Sequence, residues 1–215
     1  FDAMDARAAV VQPGSEGLFF HPYLNGERSP YWDPLLRADF VGAGFNHGAG
    51  HFVRALYEGV AYSLRDCLEV MKSKDLGFTT ARLTGGGARS ALWRQIVADV
   101  LNITVELPAV ADASFGAALL AGVGVGIFKD ERAAAEVVRI VSRATPDPAR
   151  ASVYDQGFPI YRDIQKALAP INHRIHAFAA GQNKCSMSEI RLEKVSKAYG
   201  SVVAVHDVDL TIRDG

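Results

Sequence analysis

Residues 80–107, TARLTGGGARSALWRQIVADVLNITVEL, decide the fold of this chain. The segment predicts a strand over 80–84, three consecutive glycines, a helix that begins after Ser90, and a second strand over 103–107. Ser90 is of a residue type that caps helices, because its hydroxyl accepts a hydrogen bond from an amide of the first turn. A strand, a helix and a strand in this order indicate an α/β fold rather than a helical bundle or a β-sandwich.

The segments on either side of this unit predict further helices. Residues 48–72 carry apolar residues at helical spacing, which predicts one buried apolar stripe with the Arg54–Glu58 pair on another face. Residues 114–126 are rich in Gly and Ala, which is typical of a helix that packs closely against another backbone. Residues 131–143 predict a third helix. The predicted stripe consists of Phe52, Leu56, Val60, Leu64, Leu68 and Met71.

The first part of the chain is less regular. Residues 1–46 contain many Pro and Gly turn residues around one short apolar strand at 18–20.

Gly59 interrupts an otherwise helical segment, and its expected use is close packing against a neighbouring element. Residues 154–178 predict the last helix, which Pro170 should kink or restart.

The character of the sequence changes after this helix. Residues 179–186 are small, polar and aperiodic, which predicts a linker. Residues 189–212 form two runs of alternating apolar and polar residues, which predicts a β-hairpin that turns at Tyr199-Gly200. A hairpin of this size does not bury a core of its own. We therefore expect residues 187–215 to be the truncated start of a second domain.

The composition excludes several classes of protein. The 215 residues include 23 Lys and Arg against 24 Asp and Glu, a net charge of −1, which leaves no basic surplus for a nucleic-acid partner. No run of roughly 20 apolar residues occurs, so we expect no membrane insertion. Cys67 and Cys185 make no disulfide framework, and without a secretion signal we expect a cytoplasmic location. The chain opens on Phe1, so we expect its start to lie inside a longer protein.

Few residues suggest chemistry directly. The triple glycine after a strand permits two interpretations, either close backbone contact with a nucleotide or only a tight turn. The histidines show no metal-binding spacing, so we expect no metal site and favour capping or core roles for them. The carboxylates of Glu27, Asp33 and Asp112 lie in turns or at a helix start, where catalysis and structural pairing are both open.

Four stretches carry a resemblance to a known family. Residues 22–34, PYLNGERSPYWDP, look like the PYLxGERxPxxDP loop of the FGGY family of carbohydrate kinases, and residues 38–58 resemble its second signature. Residues 83–102 are similar to the adenosine motif of that family, and residues 113–126 resemble the second connecting helix of the actin/Hsp70/sugar-kinase superfamily. The resemblance implies a partial RNase H-like domain over residues 1–178. Within the family, these motifs are most similar to those of pentulose kinases, whose substrates include xylulose, while glycerol kinases and gluconokinases carry variants of the same motifs.

The resemblance also implies a cofactor and a set of site residues. ATP would be the phosphate donor, with Mg²⁺ in the complete enzyme, and Gly85, Gly86, Gly87 and Ala88 would border the adenine and ribose, with Ser90 nearby. The phosphate loop, the sugar-binding residues and the catalytic aspartate of the family lie upstream of the match. We therefore assign no catalytic residue and expect the isolated chain to be inactive. A homodimer of the full-length kinase is left open.

The tail resembles a different family. Residues 187–215 look like the N-terminal start of the ATPase of a sugar-import ABC transporter, and Tyr199 would match the aromatic residue that stacks on adenine there. Two alternatives to a kinase fragment therefore stay open. One is a nucleotide-binding or partner-binding module without catalysis, and the other is a fragment of a transporter ATPase.

Overall fold

The computed structural model describes residues 2–183, 190–199 and 202–212, and the chain divides into two compact units, residues 1–170 and 171–215. The helices are α1 Asp2–Ala9, α2 Ala49–Lys72, α3 Ala91–Leu101, α4 Ala113–Gly124, α5 Glu131–Glu136 and α6 Pro148–Asn183. The strands are β1 Phe19–His21, β2 Asp39–Val41, β3 Thr80–Arg82, β4 Thr104–Pro108, β5 Ile140–Ala144, β6 Ile190–Tyr199 and β7 Val202–Ile212.

The strand, helix and strand of the central segment form as predicted. Strand β3 pairs with β4 in parallel, with Ala81 opposite Val105, and α3 provides the crossover between them. The Ser90 hydroxyl accepts a hydrogen bond from the Trp93 amide at 2.9 Å, which caps α3 at its first turn. Asn102 ends the helix in the left-handed conformation (φ 52°). The α/β prediction is thereby confirmed.

The predicted helix over 131–143 is wrong in its second half. Helix α5 ends at Glu136, and β5 then pairs antiparallel to β4, with Arg143 opposite Glu106. β-Branched residues dominate this second half and favour extended backbone. Arg143 also donates to the Glu106 carboxylate at 2.8 Å across the pair. The preference of the β-branched residues for extended backbone and the pairing with β4 together override the local helical pattern.

Two further expectations differ from the structure. Helix α4 is mostly exposed, and only Gly122 is buried, against the Phe128 ring, so the expected close packing of this small-residue helix is absent within the described residues. Helix α6 continues through Pro170 to Asn183, and the first part of the predicted linker is therefore helical. The rest of that linker, residues 184–186, lies outside the described residues.

The buried face of α2 contains only part of the predicted apolar stripe. Leu68 is buried and Leu56 packs against the core, whereas Phe52, Leu64 and Met71 are exposed. Arg54 and Glu58, predicted on another face, are only 5% and 3% exposed. The two charged residues are buried because neighbouring segments supply partners for every polar atom involved. The main core around them joins α2, α3, β4 and α6, and its larger members include Tyr57, Tyr62, Ile96, Val100, Val105, Tyr154 and Tyr161.

The Glu58 carboxylate is the centre of this buried network. Its Oε1 accepts from the Arg54 Nε at 2.7 Å, the Tyr154 hydroxyl at 2.8 Å and the Gly14 amide at 3.0 Å, and its Oε2 accepts from the Ser15 hydroxyl at 2.8 Å. The Arg54 guanidinium also donates to the carbonyl of Val11 at 2.8 Å. Burial and the nearby Glu58 charge raise the pKa of Tyr154, so its phenol stays protonated and donates.

Gly59 has the packing role that the sequence predicts. A Cβ at this position would overlap the carbonyl oxygen of Phe20 in β1. Glycine is therefore required for α2 to lie directly against β1, and Phe20 in turn pairs with Phe40 of β2. This contact places the turn-rich segment that follows β1 along the same helix.

The predicted hairpin is confirmed for the described backbone. Strands β6 and β7 pair antiparallel, with Leu192 opposite Leu210 and Val195 opposite Val208. Val195, Val208 and Leu210 are exposed. The exposure of these apolar side chains agrees with the expectation that the hairpin buries no core of its own. Within the described part of the chain, no helix is both long and apolar enough to cross a membrane.

Replacement of Glu58 should destabilise the protein far more than replacement of an exposed carboxylate on the same helix. We expect Glu58→Gln to lower the free energy of unfolding by about 3 kcal/mol, because Arg54 would keep its buried charge without a counter-ion. Glu69→Gln is the matched control, since Glu69 forms a surface ion pair with Lys72, and its cost should be about 0–1 kcal/mol. Urea denaturation followed by circular dichroism measures both. Equal losses for the two variants would contradict a special role of the buried pair.

Candidate functional site

The triple glycine forms the turn that connects β3 to α3. Gly85 has φ 88° and ψ 179°, and its amide donates to the Ala111 carbonyl at 3.1 Å. Residues 86–89 then make one 3-10 turn, in which the Ala88 amide donates to the Gly85 carbonyl at 3.2 Å. The loop is thus held by backbone hydrogen bonds on both sides and presents its own backbone at the end of the strand.

The structure explains two of the three glycines of the loop and leaves the third without a structural requirement. Gly85 adopts a backbone conformation that is essentially restricted to glycine. A Cβ on Gly87 would lie 3.3 Å from the indole nitrogen of Trp93, so Gly87 allows close packing. Gly86 needs neither explanation, because its φ is outside the left-handed region and no atom lies within 4 Å of where its Cβ would be. The open space above Gly86 is available to a ligand.

The predicted site residues do not all reach the surface. Gly85 and Gly86 are exposed and Gly87 is half-buried, whereas Ala88 and Ser90 are buried. The Ala88 carbonyl accepts from the Arg94 guanidinium at 2.6 Å, and Ser90 is the cap of α3, so these two residues hold the loop in shape.

Two exposed residues of this loop were missed by the sequence analysis. Thr84 and Arg89 flank the glycines and are both exposed. Their position next to the triple glycine is the signal that could have identified them. Tyr199, the remaining predicted contact, ends β6, and its side chain lies outside the part of the chain that the structure describes.

Apolar surface lies on both sides of the glycine loop. One open pocket, of about 210 Å³, adjoins Gly87 and is lined by Leu56, Tyr57, Val60 and Trp93. A larger groove, of about 390 Å³, adjoins Thr84 on the other side, and its lining includes Val110, Phe115, Leu119, Leu120 and Ala135. Small-molecule sites combine such apolar walls with a few well-placed polar groups. The exposed loop backbone supplies the polar groups here.

The three candidate carboxylates make structural hydrogen bonds. Glu27 accepts from the amides of Arg28 and Ser29 at 2.8 and 3.1 Å, and Asp33 accepts from the Leu35 amide at 2.9 Å. Asp112 caps α4 by accepting from the Ser114 amide at 2.8 Å, and hydrogen bonds from Ser114 lower its pKa. Loop and cap formation therefore accounts for all three, and none is positioned as a general base by these contacts.

His21 and His51 serve the fold as well. His21 is fully buried, with Nδ1 at 2.7 Å from the Asp39 carboxylate and Nε2 donating to the Tyr161 carbonyl at 3.0 Å. His51 accepts from the Gly48 amide at 3.1 Å through Nδ1, at the start of α2. Among residues 2–183, 190–199 and 202–212, no group of three or more His, Cys, Asp or Glu side chains is placed to hold a metal ion.

Known proteins share this arrangement. Residues 1–125 match the C-terminal domain of the FGGY family of carbohydrate kinases. A xylulose kinase of Lactococcus lactis is 33% identical over 182 residues, which cover 83% of this chain and 36% of the relative. A gluconokinase of Bacillus subtilis is 35% identical over 170 residues, which cover 78% of this chain and 33% of the relative. The chain thus spans about a third of the length of these relatives.

The fold comparison agrees with the sequence comparison. The crystal structure of a xylulose kinase from Rhodospirillum rubrum superimposes with a TM-score of 0.70 and 34% identity, over 80% of this chain and 35% of that one. The strand, glycine loop and crossover helix of the first compact unit are therefore part of a sugar-kinase fold of the RNase H-like superfamily, as the sequence analysis expects.

Substitutions in the glycine loop should distinguish a glycine that the turn requires from a glycine that only leaves the surface open. Gly85→Ala forces a side chain into a conformation that costs about 1–3 kcal/mol, so we expect a loss of that size in the free energy of unfolding. Gly86→Ala meets no steric obstacle, so we expect a change within about ±0.5 kcal/mol. Urea denaturation of both variants measures the difference. If Gly86→Ala destabilises as much as Gly85→Ala does, the turn alone accounts for both glycines.

Proposed function

Because the chain belongs to the FGGY family of carbohydrate kinases, we propose that it supplies the adenosine-binding side of an ATP-dependent sugar kinase. The proposed contacts are the backbone of Gly85, Gly86 and Gly87, supported from below by the buried Ala88 and Ser90. The phosphoryl transfer itself is assigned to no residue of this chain.

The observation that carries this proposal is Gly86. The other two glycines of the loop are explained by backbone conformation and by packing on Trp93, whereas Gly86 is exposed, unstrained and unobstructed. A glycine of this kind permits a ligand to approach the backbone closely, and the neighbouring pocket lined by Gly87 and Trp93 favours that use in this loop. The loop immediately precedes the N-terminus of α3, whose partial positive charge favours an oxygen-rich ligand.

The proposed substrate is a sugar, most specifically a pentulose such as xylulose. Support for a sugar comes from the family, and support for a pentulose comes from the similarity of the family motifs in this chain to those of pentulose kinases. Both xylulose kinases and gluconokinases occur among the relatives at nearly the same identity, so the pentulose is the finer part of the proposal. A cytoplasmic location and a homodimeric full-length enzyme complete it.

The described residues suit the binding of ATP but offer no grouped set of ligands for a divalent cation. The open backbone of the glycine loop suits the adenosine part of ATP, which would supply the phosphoryl group when bound. Mg²⁺ has no such match, since the described part of the chain groups no three carboxylate, imidazole or thiolate side chains. We therefore derive no step of the reaction through a metal ion bound by this chain.

The division of the chain is a second part of the proposal. We assign residues 1–178 to the kinase domain, residues 179–186 to a connection, and residues 187–215 to the start of an ABC-transporter ATPase. The antiparallel pairing of β6 and β7 supports a hairpin at this place, and the adenine contact of Tyr199 is proposed with it. A binding module without catalysis is the alternative, and it would share the glycine loop with the kinase.

Nucleotide titration tests the proposed function. We expect ATP, ADP and AMP to bind with nearly equal affinity, on the order of millimolar, because only adenosine contacts are assigned to this chain. Chemical-shift changes in NMR spectra should centre on Gly85, Gly86 and Gly87. Gly86→Val should abolish them while the protein stays folded, because its side chain fills the open space above the loop.

The matched control for this titration lies on a glycine away from the loop. Gly124, the last residue of α4, also has open space where its Cβ would be and lines neither apolar pocket beside the loop, so Gly124→Ala should leave nucleotide binding unchanged. Shifts that avoid residues 84–90, or a folded Gly86→Val protein that binds as well as the original, would refute the adenosine site.

A further inference from the structure

His21 lies at the junction of β1, β2 and α6. It is the last residue of β1 and directly precedes residues 22–34, which carry the first family motif. Its ring contacts the Asp39 carboxylate of β2 and the backbone of Tyr161 in α6. The side chain is fully buried, so water cannot replace either partner. One imidazole therefore connects the start of that segment to both neighbouring elements.

Both ring nitrogens of His21 face groups that only accept hydrogen bonds. Nδ1 lies 2.7 Å from the Asp39 carboxylate, and Nε2 lies 3.0 Å from the Tyr161 carbonyl oxygen. A neutral imidazole carries one hydrogen and can donate to only one of these partners, whereas an imidazolium donates from both nitrogens. The geometry requires two donors, and the cationic ring is the form of histidine that supplies them.

The surroundings of the ring favour a positive charge. The Asp39 carboxylate is a direct counter-ion for it. The aromatic rings of Tyr161 and Tyr23 lie next to the imidazole, with their centroids at 4.3 and 5.4 Å from its own. The faces of aromatic rings attract cations, and the effect grows where water is excluded. A buried cation is tolerated where it is paired and each of its donors has an acceptor, as is the case for His21.

The other ionisable groups near this junction keep their charge at neutral and moderately alkaline pH. Burial raises the pKa of both Tyr23 and Tyr161, so these phenols stay neutral while an imidazolium loses its proton. The negative charges of Asp66 on α2 and of Glu27 also act on Tyr23. Asp66 in turn pairs with Arg162 of α6 at 3.4 Å. The charge that can change at this junction is therefore that of the imidazole.

We propose that His21 is a buried imidazolium and forms a pH-sensitive connection between the β1–β2 pair and α6. Deprotonation leaves one hydrogen on the ring. Loss of the Nδ1 hydrogen would place a lone pair 2.7 Å from the Asp39 carboxylate, so the Nε2 hydrogen is the one that passes to water. The contact with Asp39 then persists, and the hydrogen bond to the Tyr161 carbonyl is lost. Alkaline pH thereby disconnects the start of residues 22–34 from α6.

The proton on His21 stabilises the folded protein at low and neutral pH. An exposed imidazole in the unfolded chain loses its proton at about pH 6.5, whereas the two hydrogen bonds of the folded state favour its retention. Unfolding above this pH therefore releases a proton. The equilibrium constant of unfolding should rise by up to about tenfold per pH unit, until the folded protein is deprotonated as well. The stabilisation is thus complete below about pH 6.5 and is lost as the pH rises.

NMR of isotope-labelled histidine rings tests the charge of His21 directly. At about pH 7.5, above the titration of an exposed imidazole, both ring nitrogens of His21 should carry a hydrogen. His51 should carry one, because its Nδ1 accepts from the Gly48 amide. As the pH rises further, the Nε2 hydrogen of His21 should disappear. The chemical shift of the Tyr161 carbonyl carbon should change with the same midpoint.

Urea denaturation at several pH values tests the effect on stability. His21→Gln removes the titrating group, so its unfolding constant should lack the increase that the unsubstituted chain shows above about pH 6.5. His51→Gln is the matched control and should keep that increase, because the contacts of His51 with Gly48 and Glu16 suit a neutral ring. Asp39→Asn is a second variant that keeps the imidazole. Without the counter-ion, the ring should lose its second hydrogen at lower pH.

Three outcomes would overturn the proposal. A single ring hydrogen on His21 at about pH 7.5, with the second proton on Asp39, would refute the imidazolium. An equal pH dependence of unfolding for His21→Gln and the unsubstituted chain would make His21 a packing residue only. A Tyr161 carbonyl shift that does not follow the titration of the ring would refute the release of α6. The NMR measurements on the unsubstituted chain remain decisive even where His21→Gln does not fold.

Discussion

The fold depends on the neutralisation of one buried carboxylate. Glu58 lies in the middle of α2, where an unpartnered charge would strongly destabilise the folded state. Its hydrogen-bond partners come from α2 itself, from the turn before β1 and from α6. Gly14, Ser15 and Tyr154 are therefore held together by one side chain although they are far apart in sequence. Gly59, the next residue, lies directly against the Phe20 carbonyl, so the same turn of helix also positions β1.

This arrangement sets the position of the first family motif. Because β1 is held against Gly59, the segment that leaves it must follow α2 towards its C-terminal half, where Ser63 and Asp66 fasten the loop of residues 24–35. The buried His21, between Asp39 and the Tyr161 carbonyl, marks the start of that path. Loop shape and core packing are thus consequences of the same polar residues on one helix.

The sequence predicts local features of this fold well and distant partnerships poorly. The strand, glycine turn and crossover helix around Ser90 follow from short-range periodicity and a capping residue, and they form as predicted. The burial of Arg54 and Glu58 could not be predicted, because it depends on partners more than 40 residues away, such as Ser15 and Tyr154. The helix predicted over 131–143 is wrong beyond Glu136, because the β-branched residues there favour the strand that pairs with β4.

The same reasoning from sequence predicts where the candidate site lies, but not which of its residues are structural and which are open to a ligand. A run of three glycines identifies the loop, yet only the backbone angle of Gly85 and the Trp93 ring beside Gly87 separate structural glycines from Gly86. Burial likewise decides that Ala88 and Ser90 support the loop from within. These distinctions require three-dimensional contacts, since residue type is identical or nearly so across the positions involved.

The exposure of α4 has a thermodynamic consequence. Leu120 on this helix, and Val125 and Ile127 just after it, remain in contact with water in the folded chain. Unfolding therefore exposes little additional apolar surface at these three positions, so they contribute little to the heat-capacity increment of unfolding. Because that increment sets the curvature of stability against temperature, this end of the domain adds little to the loss of stability on cooling.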